Sequence, residues 1–276
     1  MHDPSRQGAA IGFFDGVHLG HQRILSNALV AITFHNHPLS ILAPEKAPRL
    51  IMTFEQRERA IRDCGVEDVI ALDFTPELAD MEPEEFARKF LSDRTVFCGA
   101  NWRFGRANRG DSALLDSLGY KTIVAPFAVF DGQRISSSRI RAAIESAHIE
   151  EANAMLGHPW CITGRVVAGK GLGRTIGFPT VNLFLDDLRL KLPCGVYIVE
   201  ADGERAVANW GTAPTMRENA WKRNTLEVHF INRAPSHIPD SMRIVFLKFL
   251  RPEKTFPDIQ SLKSQIASDT AAARGS

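Results

Sequence analysis

The stretch that most constrains this chain is Gly12 to His21, read as GFFDGVHLGH. A short apolar run, Ala9 to Ile11, precedes it, and a helical pattern carrying Ile24, Leu25, Ala28 and Leu29 follows. Strand, tight turn, helix is the order implied. A glycine-punctuated turn at a helix start leaves backbone N–H groups and the positive dipole end facing outward, which suits phosphate. His18 and His21 are three apart and so share a face of a helical turn. Two imidazoles aimed at one point can donate to nucleotide phosphates, and Gly20 between them lets a ligand approach the backbone. Taken alone, the same spacing also fits half a metal site or a capping accident.

The flanks narrow the choice. GFFDGVHLGHQ resembles the first signature of the nucleotidyltransferase superfamily in its FAD-synthetase form. The resemblance implies that His18 and His21 bind ATP phosphates. It places Gly12, Phe13, Asp15, Gly16 and Gly20 beside them in the same phosphate site.

The chain has 276 residues, 44% hydrophobic and 24% charged, ordinary proportions for a soluble globular protein. That length favours two domains and allows two cores. A net charge of +1 gives no global field that would draw nucleic acid or an anionic membrane, so neither is expected as a partner. Cys64, Cys98, Cys161 and Cys194 form no C-x-x-C pair, which fits reduced, mostly buried thiols in a cytosol. The N-terminus has no apolar signal core, and no stretch is long enough to span a bilayer. A cytoplasmic location is therefore expected.

In the first half, a helix over Gln22 to Leu29 leads to a strand at Val30 to Phe34 and then to HNHP. A parallel crossover normally needs a dozen or more residues, and this helix is barely two turns. The short crossover is the largest departure from the family pattern, and His35 stands where the family usually carries an acid. Thr53 to Arg62 reads as a helix with Thr53 as N-cap, Gln56 at the capping-box position, and Gly65 as terminator. Strands follow at Val69 to Phe74, Thr95 to Cys98 and Ile123 to Pro126, with a helix opened by Pro83 and Glu84 among them. Strands alternating with helices imply a doubly wound parallel sheet that binds ligands at the carboxyl ends of its strands.

Two of those strand ends carry chemistry. NWRFG places Asn101, Arg103 and Phe104 in a glycine-bounded loop that resembles the family's second motif, implying contact with ATP and flavin. ISSSRIR offers Ser136, Ser137 and Ser138 as cap and phosphate donors, with Arg139 and Arg141 adding charge. It resembles the third motif, which clamps the triphosphate. The serines lie in no G-x-S-x-G elbow, so a serine-hydrolase reading fails.

A helix from Ile144 to Leu156 ends at Gly157, and the pattern then changes. Short β-prone segments at Cys161–Ala168, Gly195–Glu200, Ala206–Trp210, Leu226–Ile231 and Met242–Leu250 suggest a small antiparallel barrel. A last helix, Asp258 to Ser268, aligns Ile259, Leu262 and Ile266. The domains expected are residues 1–157 and 158–276, the second a β-barrel with a terminal helix.

GRVVAGKGLGRTIGFPTVN supplies a pliable loop with Gly169, Gly171, Gly173 and Gly177, in which Lys170 and Arg174 are available to phosphates. It lacks the G-K-S/T of a Walker A loop. GFPTVN resembles the riboflavin kinase signature, which implies that Thr180 and Asn182 bind the metal and ATP phosphates. In TLEVHF, Leu226, Val228 and Phe230 point one way, and Glu227 and His229 the other. A ribityl hydroxyl has a high pKa, so its deprotonation gains from a positioned carboxylate. The resemblance gives Glu227 that catalytic position. It also puts Arg251 near flavin and nucleotide, and matches Asn209 and Thr212 to a further family segment.

The whole resembles the bifunctional riboflavin kinase/FAD synthetase family. What this implies is phosphorylation of riboflavin to FMN and adenylylation of FMN to FAD. ATP, riboflavin, FMN and FAD would be substrates or products, with Mg²⁺ as cofactor. The alternatives are a monofunctional kinase with a weakly active N-terminal half, and a non-catalytic flavin- or nucleotide-binding module.

Overall fold

The structure is a computed structural model. It describes residues 8–91, 94–169, 173, 177–185, 190–211, 225–232 and 238–275. Contacts divide the chain into two compact units, residues 1–137 and 138–276.

The first unit is built on a five-stranded parallel sheet of order β3-β2-β1-β4-β5. Its strands are β1 (Ala9–Ile11), β2 (Val30–Phe34), β3 (Asp68–Leu72), β4 (Val96–Gly99) and β5 (Thr122–Ala125). The short crossover does close: β1 and β2 pair in parallel from Ala9 opposite Val30 to Ile11 opposite Ile32. Chain order reverses between β1 and β4, so their carboxyl ends open a crevice at a topological switch point. Ala9, Ile11, Ile32, Phe86, Leu91, Val96, Cys98 and Leu115 form the core on this sheet.

Helix α1 (Leu19–Leu25) starts earlier than the pattern predicts, because His18 caps it by accepting from the His21 N–H. Gly20 and His21 are therefore helical residues. α2 (Leu39–Leu42) is a single turn. α3 (Phe54–Asp63) carries the expected capping box, and Gly65 follows at φ 87°. α4 (Pro76–Ala79), α5 (Pro83–Phe90) and α6 (Ser112–Ser117) complete the unit with a hairpin of β6 (Val129–Phe130) and β7 (Gln133–Arg134). That hairpin turns through Asp131 and Gly132, both at positive φ, and sequence reading missed it.

The join differs from expectation. Two helices, α7 (Ser137–Glu145) and α8 (Ile149–Leu156), replace the single helix from Ile144. Ala147 sits at φ 60° while His148 N–H reaches back to Ala143 O at 2.8 Å, a Schellman turn made without glycine. α8 packs with the second unit, where Asn153 Nδ2 donates to Phe246 O at 2.8 Å and Asn153 Oδ1 accepts from Trp160 N–H at 2.8 Å.

The second unit is a closed barrel in which β10-β11-β12-β9-β8-β13 are neighbours in that order. Its strands are β8 (Cys161–Val167), β9 (Val181–Phe184), β10 (Gly195–Ala201), β11 (Glu204–Trp210), β12 (Thr225–Phe230) and β13 (Ser241–Pro252). β9 starts at the last two residues of GFPTVN, where the preceding glycine and proline mask a four-residue strand. Leu183, Tyr197, Val199, Ala208, Leu226, Val228 and Phe246 fill the interior. The C-terminal helix runs Ile259–Arg274, beyond the expected Ser268, and buries Asp269, Thr270 and Ala273 while Ile259 is exposed. Ala273 packs outside the barrel on Val196, Ile198 and Val207. All four cysteines are free, but Cys98 alone is buried and Cys194 is exposed, so the thiols are not mostly buried.

Candidate active sites

In the first unit, the loop after β1 is held in a strained backbone. Phe14 (φ 58°), Gly16 (φ 82°) and Val17 (φ 40°) all occupy the left-handed region, which is costly for the two residues with side chains. Neighbours hold that conformation. Thr33 Oγ1 donates to Phe13 O at 3.2 Å and Ser137 Oγ to Asp15 O at 2.9 Å. Asp15 is buried, and its Oδ1 accepts from Ile51 N–H at 2.9 Å. A Cβ at Gly12 would stand 2.9 Å from the Phe14 ring, which is why that position is glycine.

The outcome is a histidine stack. The His18 and His21 rings lie 3.6 Å apart between centroids with planes 16° apart. Two cations would repel at that distance, and burial works in the same direction. Burial, with a smaller contribution from the Arg134 charge, pushes His18 down to about 4. Burial, then the charges of His18 and Arg57, hold His21 well below the ordinary histidine range. Both are therefore neutral at physiological pH. His18 Nδ1 accepts from His21 N–H at 3.3 Å, which leaves its proton on Nε2. His21 Nδ1 is buried and has no hydrogen-bond partner among the described residues. The pair suits an acceptor-rich ligand met by neutral donors rather than by fixed charge.

Sequence reading missed Arg57. It is fully buried, its guanidinium carbon lies 3.9 Å from the Phe13 ring centroid, and it donates to Phe34 O at the end of β2. Its signal was present: Phe54, Arg57 and Ile61 share one face of α3, and a charge within an apolar stripe calls for a role.

The loop after β4 lies at the other lip of the crevice. Asn101 and Arg103 are exposed, and Arg103 Nη1 donates to Trp102 O at 2.9 Å. Phe104 is buried, stacked on Trp102 at 4.5 Å, with Gly110 too close on its other side to carry a Cβ. It anchors the loop, and half-buried Trp102 is the neighbouring aromatic. Ser136 and Ser137 end the unit. Ser138, Arg139 and Arg141 belong to the second unit, where Arg139 Nη2 meets Glu151 Oε1 at 3.0 Å.

In the barrel, the expected catalytic Glu227 and metal-binding Asn182 fall in one row with Asn209. Glu227 on β12 is the register partner of Asn182 on β9 and of Asn209 on β11. Direct partners project on the same face with Cβ atoms about 5 Å apart. Leu226 and Val228 are buried on the inner face, so this row lies outside the barrel, with Glu227 exposed and the asparagines half-buried. Gly169 and Gly173 bear on it. A Cβ at Gly169 would collide with Asn182 Nδ2, and one at Gly173 would stand 3.1 Å from Thr180 Oγ1. Lys170, Gly171, Arg174 and Thr212 lie outside the described residues.

Hydroxyl, amide and carboxylate oxygens are the hard donors that Mg²⁺ prefers, together with substrate phosphates, so Thr180, Asn182 and Glu227 fit that ion. Among the described residues, no cluster of three or more His, Cys, Asp or Glu is placed to hold a metal alone. Arg251 follows the row through Val196, which pairs with both Asn209 and Arg251. Its Nε and Nη2 meet Asp269 on the C-terminal helix at 3.0 and 2.7 Å, and Gln265 donates to the same carboxylate.

Comparison with known proteins agrees with both halves. Residues 1–139 match the family model described as FAD synthetase, and residues 156–276 match that described as riboflavin kinase. The bifunctional riboflavin kinase/FMN adenylyltransferase of Escherichia coli (strain K12) is 36% identical, over 96% of this chain and 90% of its own length. That of Bacillus subtilis (strain 168) is 33% identical, over 94% of this chain and 89% of its own. A solved structure titled as a macrolide-efflux protein from Streptococcus pneumoniae superposes with a TM-score of 0.84 at 27% identity, covering 99% of this chain and 95% of that one. No helix among the described residues is long and apolar enough to cross a membrane. With a flavin-enzyme model matched by each half and near full-length relatives of both activities, this chain belongs to the bifunctional riboflavin kinase/FMN adenylyltransferase family and is a riboflavin kinase and FAD synthetase.

Proposed function

We propose that the two activities are divided between two sites, adenylyl transfer at the histidine stack and riboflavin phosphorylation on the outer face of the barrel. The observation that carries this is the register row Asn182–Glu227–Asn209, a carboxylate held between two amides on a strand whose other face is sealed in the core.

At the first site the nucleophile is the FMN phosphate. Its second pKa is about 6, so it is largely dianionic at neutral pH and needs no protein base. One of its oxygens attacks the α-phosphorus of ATP, the bond from that phosphorus to the bridging oxygen breaks, and pyrophosphate leaves with the electron pair. The protein's part is to position and to neutralise charge. His18 and His21 serve as neutral donors to phosphate. Gly12, Phe13, Gly16 and Gly20 supply a backbone cradle, and Asp15 holds its shape. Ser136 and Ser137 offer hydroxyl donors to the triphosphate, while Asn101, Arg103 and Phe104 form or support the flavin side.

At the second site Glu227 accepts the proton of the terminal ribityl hydroxyl as its oxygen attacks the γ-phosphorus of ATP, and ADP departs. Thr180 and Asn182 hold Mg²⁺ with the phosphates. The ion, when bound, offsets phosphate charge. Gly169, Lys170, Gly171, Gly173 and Arg174 form the phosphate loop. Arg251, oriented by Asp269, flanks the flavin. The sequence boundary between the two family domains falls near residue 157, downstream of the division by contacts at residue 137, and the enzyme works in the cytoplasm on small molecules, without a nucleic-acid or membrane partner. The test is a time course with riboflavin and MgATP. FMN should accumulate first and FAD follow, whereas FMN that never becomes FAD would leave only the kinase.

A further inference from the structure

The β9–β12 ladder ends abruptly at the place where Thr180 is presented. Its last rung is Val181 opposite Val228, and the rung that would follow is Thr180 opposite His229. There the chain turns through Pro179, which has no N–H to give to a ladder. A side chain continues what the backbone cannot. His229 Nδ1 lies 3.0 Å from Pro179 O, bridging segments 50 residues apart in sequence. A carbonyl only accepts, so Nδ1 carries the proton in this contact. The ring also meets Phe178 edge-on at 5.3 Å between centroids. From the other side, Phe178 N–H donates to Gly173 O at 2.8 Å, and the absent Cβ of Gly173 leaves room for Thr180 Oγ1. The Phe178–Thr180 segment is thus held between Gly173 and one imidazole.

We infer that His229 is a positioning residue of the kinase site, donating from Nδ1 to the Pro179 carbonyl and so fixing Thr180 beside Asn182 and Glu227. The inference rests on the assignment of Thr180 and Asn182 to metal and phosphates. His229 projects on the same face as Glu227, two residues along β12, yet its Nδ1 is spent on the turn. It acts on the reaction through Thr180 and not by touching substrate. Outer partners that orient metal-binding groups behave in this way, and their loss typically costs roughly 10- to 100-fold in affinity or activity.

The experiment uses the full chain and measures initial rates of FMN formation across MgATP concentrations. An asparagine amide nitrogen reaches nearly the position of histidine Nδ1, whereas a glutamine amide mimics Nε2. His229→Gln and His229→Ala should raise KM for MgATP roughly 10- to 100-fold, with kcat much less affected. His229→Asn should return KM to near the wild-type value. FAD formation from supplied FMN should be unchanged in all three, which separates the effect from general unfolding. A wild-type KM in His229→Gln or His229→Ala overturns the inference, as does His229→Asn impaired as deeply as alanine. Failure of the underlying assignment shows differently: Thr180→Ala would then keep its MgATP affinity, whatever the His229 variants do.

Discussion

Glu227 and Asn182 are direct partners across the β12–β9 ladder, and both project from the outer wall of a barrel whose inner wall is apolar. The alternation that buries Leu226 and Val228 is the same alternation that turns Glu227 outward. Fold and chemistry are coupled by a period of two. A one-residue slip of β12 would bury the carboxylate and expose the core, so the register that stabilises the barrel also sets the proposed site.

His21→Ala should depress FAD formation and leave FMN formation near normal. One donor lost from a charged phosphate contact is worth roughly 1.5–3 kcal/mol, or about tenfold to a hundredfold in rate. The check is a pair of assays on one preparation. Equal loss of both activities in a folded variant would contradict the two-site division.

The neutral histidines make the protein acid-sensitive. His18 is lowered from 6.5 to about 4 in the folded chain, so the folded state binds fewer protons than the unfolded one between those values. The stability that follows is fully present above about pH 6.5 and is lost as pH falls toward 4. A shift of that size corresponds to roughly 3 kcal/mol, at 1.36 kcal/mol per pH unit, and His21 shifts in the same direction. Thermal unfolding from pH 7.5 to 4.5 checks this. His18→Asn keeps a good helix cap and should flatten the dependence. An unaltered slope in that variant would count against it.

Breaking the Arg251–Asp269 pair should loosen the C-terminal helix. Their side chains are 14% and 5% exposed, so removing one partner strands a largely buried charge. Asp269→Asn should cost about 3–5 kcal/mol or somewhat less for the exposed edge. Replacing both residues by apolar ones of similar volume should recover much of it. Chemical denaturation of the wild type and these two variants reads this directly.

A fragment beginning at Ser138 should be more stable than one beginning at His158. The shorter piece loses α8, and with it the Asn153 bonds to Phe246 and Trp160 and the 3.1 Å Lys248–Glu150 ion pair. Both contain the row proposed as the kinase site and should make FMN if folded. Equal melting temperatures would show that α8 contributes little to the barrel.

What the sequence revealed was mostly local. The Thr53–Gln56 capping box, the alternation in TLEVHF and the glycine turn before α1 are written within a few neighbouring residues, so each was legible. The barrel row was legible only through a family resemblance, because register between β9, β11 and β12 is set by three strands far apart in the chain. Arg251 was assigned to flavin, but its pairing with Asp269 joins a strand to a helix and has no local signature. The left-handed Ala147 was invisible for the opposite reason: the residue that normally marks such a turn is glycine, and here it is absent. That Phe104 is buried while Trp102 is half-exposed was not legible either, since composition alone does not tell which of two nearby aromatics turns inward.

The account is tested most directly by Glu227→Gln, which keeps the shape of the side chain and removes the carboxylate. One preparation of the variant is fed riboflavin and, separately, FMN, each with MgATP. Loss of a general base costs about 10²–10⁴ in rate, so FMN formation from riboflavin should nearly stop. FAD formation from supplied FMN should continue, because that nucleophile is already ionised and its site lies in the other unit. FMN formation at a near-normal rate would mean that Glu227 is only a solvated strand residue, and the barrel row would not be the kinase site.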